Sequence, residues 1–110
     1  MPLLYTEALI YDSAGDSDRA VEKLAQAIRL YAKDDQYDAL LLQAAAKATP
    51  AAAVAATLKA LEAKDSLNLR LAAAQAAIRS GDVRSAMIHL RRALEIDPTN
   101  AQARDLLGRL

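Results

Sequence analysis

Residues 80–98 read SGDVRSAMIHLRRALEIDP, a Gly-Asp pair, then an apolar stripe led by Ala86, then a stop at Pro98. Residues 14–28, AGDSDRAVEKLAQAI, repeat the Gly-Asp, the Ala and the Leu at the same offsets. The two Gly-Asp pairs stand 66 residues apart, twice 33, so a third copy is expected midway, where Ala48-Thr49-Pro50 sits. Asp16, Thr49 and Asp82 are all residues whose side chains cap a helix start, and Pro50 is preorganised for a first helical turn.

The helices these caps open agree with one another. Ala20-Val21, Ala53-Val54 and Ala86-Met87 begin the stripe, and Ala27-Ile28, Ala60-Leu61 and Ala93-Leu94 close it. Leu24 and Leu90 match between them, with Thr57 the weak member. Spacings of three, four and seven residues give one buried helical face. Each copy has a further helix before its cap, over residues 2–14, 35–48 and 67–80, and Thr99 to Gln102 forms a capping box that opens a final helix. The expectation is an all-α chain of about seven helices in antiparallel hairpins, with units at 1–33, 34–66 and 67–100 and a capping helix over 100–110. Gly15 and Gly81 are expected at positive φ, where a side chain is strained.

Hairpin units of this length stack as a solenoid, because none buries its apolar face alone. The sequence resembles the tetratricopeptide repeat family in Tyr11, Gly15, Ala20, Leu24 and Ala27 of the first copy. The third copy matches in Gly81, Ala86, Leu90, Ala93 and Pro98, and Leu107-Gly108 begins a half-length fourth. The second copy lacks the inter-helix Gly and carries Leu41 where the family has a small residue, with Tyr37 and Leu40 in the places of its Trp and Leu. The third has Ala73, Ala74 and Ala77 for Leu, Gly and Tyr. Another helical-hairpin repeat is the alternative.

The resemblance implies a short right-handed solenoid whose first helices line a concave groove for a protein segment. By position the groove residues are Tyr5, Leu9, Asp12, Asp38, Leu42, Ala45, Leu71, Gln75 and Ile78. The set is mostly apolar and lacks the Lys, Arg and Asn that clamp a terminal carboxylate in the family's chaperone-tail readers, so an apolar or amphipathic segment is the expected partner. One register step would turn several of these residues into core.

Chemistry for catalysis is not evident. His89 is the only histidine and there is no Cys, so a two-His or thiolate metal site cannot form. With three scattered glycines there is no phosphate-binding loop, and no acid-base pair or cofactor fingerprint stands out. His89 is expected on a solvated helix face, and Asp34, Asp35 and Asp38 as first-turn acids that complement the helix dipole. Arg79, Arg84, Arg91 and Arg92 are expected as a solvated basic face rather than a nucleic-acid platform, which would interleave aromatics.

The 14 basic and 14 acidic residues cancel, giving no net pull toward nucleic acid or anionic membrane. Residues 1–50 hold five Lys/Arg against eight Asp/Glu, and residues 51–110 hold nine against six. A Cys-free chain with no signal-like or spanning start is expected in the cytoplasm. The reading is therefore a non-catalytic scaffold or adaptor without cofactor. The alternatives are a self-associating structural module and a fragment of a larger protein, with a regulatory subunit of an enzyme ranking lower. Leu3, Tyr5, Leu9 and Ile10 load the first helix with apolar groups nearly all round, which points to a homodimer through that helix or to a domain outside this chain. At the other end, Ala103, Leu106, Leu107 and Leu110 are expected to pack inward while Gln102, Asp105 and Arg109 face out.

Overall fold

The computed structural model describes residues 3–110, with side chains from Thr6 onward. Seven helices follow in order: α1 (Leu3–Ser13), α2 (Ser17–Leu30), α3 (Gln36–Ala45), α4 (Pro50–Ala63), α5 (Leu67–Arg79), α6 (Val83–Ile96) and α7 (Ala101–Arg109). There is no strand among the described residues. The all-α helical repeat architecture is the one the cap spacing requires.

The caps act as their chemistry dictates. The side chains of Asp16, Thr49 and Asp82 accept from the backbone N–H of Arg19, Ala52 and Ser85, each three residues on. Ser66 does the same for α5. At the last helix the cap lies one residue later than expected: Asn100, not Thr99, accepts from the Ala103 N–H at 2.8 Å. Thr99 is already committed, because its N–H and its hydroxyl both donate to Asp97 Oδ1.

Gly15 and Gly81 take φ of 80° and 82°. At each, the glycine N–H and the N–H that follows turn back onto the helix just ended: Gly15 to the Asp12 carbonyl and Asp16 to that of Tyr11, Gly81 to Ile78 and Asp82 to Ala77. This is the doubled C-terminal closure that satisfies a helix's orphan carbonyls, and it needs a residue in the left-handed region. A Cβ on either glycine would meet nothing within 4 Å, so the requirement is purely conformational.

Packing is uneven along the repeat. α1 lies along α2, and α5 along α6, as close hairpins, whereas α3 touches α4 much less than it touches α2 and α5. One polar residue sets the middle copy apart from both outer ones: Thr57 stands where they have Leu24 and Leu90. Thr57 is fully buried, but its hydroxyl is spent on the carbonyls of Ala53 and Val54 in its own helix. The middle pair is therefore wedged between its neighbours, α4 against α2 and α5, and α3 against α2 and α5. Ala20, Ala53, Ala60, Ala86 and Ala93 are wholly buried where helices meet, as alanine's small side chain permits. At the C-terminal end Ala103 is buried with Leu106 and Leu107 beside it, while Leu110, expected inside, is exposed.

Candidate interaction surface

The first helices, α1, α3 and α5, do not form one even wall. α3 and α5 pack closely, but α1 and α3 part, and a cleft opens between them. It is shallow, opens to solvent and is lined by Ala8, Leu9, Asp12, Leu24, Leu40, Gln43 and Ala44. Leu24 and Ala44 belong to the buried core and Leu40 packs against it, which makes the floor apolar. Leu9, 42% exposed, stands at the edge, and Lys47 bridges to Asp12 across the end at 3.1 Å.

The expected groove residues divide by depth. Leu9, Asp12, Leu42, Gln75 and Ile78 keep exposed or half-buried surface. Asp38, Ala45 and Leu71 are all but sealed and offer a partner almost nothing. Tyr5 and Leu3 lie outside the residues whose side chains are described. Leu42 turns partly toward the second core cluster with Leu71, Ala74 and Leu90.

Asp38 is not the exposed first-turn acid its position suggests. It is 2% exposed and its Oδ2 lies 2.9 Å from Lys64 Nζ, which also reaches Asp35 at 2.7 Å. Burial opposes the charge on Lys64, but the hydrogen bonds to Asp35 and Asp38 outweigh it and hold the ammonium pKa above its ordinary 10.5. Lys64, at the end of α4, thus ties the start of α3 to its own hairpin partner.

The basic residues also depart from a solvated face. The Arg79 guanidinium donates to the Ala45 carbonyl at 2.6 Å and to that of Ala48, so it caps the open end of α3 from α5. From the other side, Asp18 of α2 accepts from the Thr49 N–H at 2.7 Å and from the Thr49 hydroxyl at 2.9 Å. Arg92 is paired with Asp65 and Glu95. Arg84 and Arg91 are exposed and make no ion pair among the described residues. Position alone does not single out Arg79 or Asp18. The signal was the missing glycine of the second copy: with Ala48 in the glycine's place, the carbonyls of α3 need donors from elsewhere.

His89 is half-buried rather than solvated. Its Nδ1 lies 3.0 Å from Arg70 Nη1, which can only donate, so Nδ1 accepts and the proton of the neutral ring sits on Nε2. Burial and then the Arg70 charge push its pKa below 6.5, against weaker opposing pulls from Asp82 and Asp65. Asp65, hydrogen-bonded by Arg70 and Arg92, is held below 3.8. His89, with Asp82, lines a shallow cleft between α4, α5 and α6 beside Thr57, Leu58, Ala73 and Ala77. Among the described residues no group of three or more His, Asp or Glu is gathered as for a metal. No helix of the described residues is long and apolar enough to cross a membrane.

Compared with known families, residues 2–34 match one tetratricopeptide repeat pattern and residues 67–110 match another. Among curated proteins, none matches the chain. The matched stretches are the two hairpins that close their own turns, with α7 appended to the second. Repeats of this kind generally mediate protein–protein interaction. With seven helices in the repeat's period and both outer hairpins matched, the chain belongs to the tetratricopeptide repeat family.

Proposed function

We propose that the chain is a non-catalytic scaffold or adaptor that holds an apolar or amphipathic protein segment against α1, α3 and α5, in the cytoplasm. The observation that carries this reading is the apolar-floored cleft where α1 and α3 part, with Leu9 at its edge. Leu9, Leu42 and Ile78 are the apolar contacts a segment would meet, with Asp12 and Gln75 between them for polar groups. Contact area rather than ion pairing would supply the affinity. Capture from cell extract with the intact chain, followed by mass spectrometry, tests it when paired with Leu9→Asp and Ile78→Asp variants. Loss of the captured partner with an unchanged melting temperature is the expected result. Equal capture by parent and variants would refute the groove.

A second reading, self-association through α1, is favoured by one observation: Leu9 and its neighbour Ile10, 60% exposed, form an uncovered apolar pair. Light scattering of the parent and of a Leu9→Glu, Ile10→Glu variant distinguishes the two.

A further inference from the structure

The second helices of the three hairpins, α2, α4 and α6, occupy equivalent repeat positions in the sequence, and α4 packs on α2 but stands off from α6. Asp18, Ala51 and Arg84 share one position, and Glu22, Ala55 and Ile88 share the next one a turn later. Across this face the chemistry runs from acidic through alanine to basic. α2 and α4 pack closely, and between them runs a groove floored by Val21, Ala25 and Ala56, with Glu22 on one wall and Lys59 on the other. On α6, Ile88 stands 55% exposed between Arg84 and Arg91, which lie on the same stripe of the helix. Glu22, Arg84 and Arg91 are exposed and make no ion pair among the described residues.

We infer that two copies of the chain pair through these faces, Ile88 of each seated in the α2/α4 groove of the other, with Arg84 and Arg91 over the Asp18 and Glu22 side. The charges also fix the direction. With α6 parallel to the partner's α2 and Ile88 level with Glu22, Arg84 meets Asp18, Arg91 reaches back to Glu22 from the next turn, and Glu95 falls beside Arg29. Reversed, Glu95 would meet Asp18 and Arg84 would meet Arg29, which like charges oppose. A two-fold axis along α4 makes the contact twice and closes the assembly. This face is separate from the one formed by α1, α3 and α5, so the dimer leaves the proposed partner cleft open.

Sedimentation of the intact chain over a range of concentrations tests the pairing. At low salt the mass should rise to that of a dimer, and raising the salt should weaken the pairing about tenfold. Ile88→Glu and Glu22→Arg should each leave a monomer with an unchanged helical melting curve, both positions being exposed. Glu22→Arg combined with Arg91→Glu in one chain should restore the dimer. A parent that stays monomeric at millimolar concentration in low salt overturns the inference. So does a dimer that Ile88→Glu and Glu22→Arg leave intact, whether or not Leu9→Glu with Ile10→Glu dissolves it, and so does failure of the charge swap to restore pairing.

Discussion

The turn at Gly15 and the turn at Ala48 join helices of the same kind at the same repeat position, but they are closed by different means. Gly15, like Gly81, enters the left-handed region and lets the chain's own N–H groups satisfy the carbonyls just passed. Ala48 does not: no residue but these glycines has positive φ among those described. Its turn is closed from both sides, by Asp18 of the first hairpin on Thr49 and by Arg79 of the third on Ala45 and Ala48. Local chemistry closes the outer hairpins, whereas the middle one is completed by its neighbours. The thin contact between α3 and α4 says the same thing at the level of packing.

The strongest way to break this contrast is Arg79→Met, which keeps the stem and removes both charge-assisted hydrogen bonds to α3. A loss of about 3 kcal/mol is expected, measured by urea unfolding. Asp18→Ala frees the Thr49 N–H and hydroxyl and should cost about 1–2 kcal/mol. The double variant should cost less than the two losses added, since both act on one turn. Gly15→Val or Gly81→Val should each cost about 1–2 kcal/mol through backbone strain alone, and either should add independently to Arg79→Met. Strong coupling between Gly15→Val and Arg79→Met would erase the distinction between the turns.

The pH dependence sharpens the contrast less, but its sign is fixed. His89 is harder to protonate folded than unfolded, so the unfolded chain takes up more protons below 6.5 and stability falls as pH drops through that value. His89→Gln should flatten that limb of a melting-temperature profile. Lys64 behaves oppositely: its raised pKa contributes stability that is complete below 10.5 and fades as pH rises beyond it.

The elements that could be read from sequence are those whose cause is local. The caps at Asp16, Thr49 and Asp82, the positive φ of the two glycines and the alanine contacts all follow from residue type and spacing. The elements that could not be read are those where a distant residue supplies the cause. Arg79 and Asp38 look like surface charges until α3 and α4 are placed beside them, and His89 looks solvated until Arg70 arrives from α5. Thr99 failed as a cap for a nearer reason, since Asp97 competes for the same hydroxyl. On the candidate groove, the resemblance placed residues on α1, α3 and α5, but how deep each lies depends on the packing of those helices, in which Asp38, Ala45 and Leu71 are buried.

Native-state hydrogen exchange on the parent and on Arg79→Met tests most directly whether the middle hairpin is held by its neighbours. The account predicts that the variant loses protection across α3, the Ala48 turn and the start of α4, while the Asp16 and Asp82 amides, which close the glycine turns, keep theirs relative to global unfolding. Unchanged protection in the middle hairpin, or an equal loss at all three turns, would contradict it.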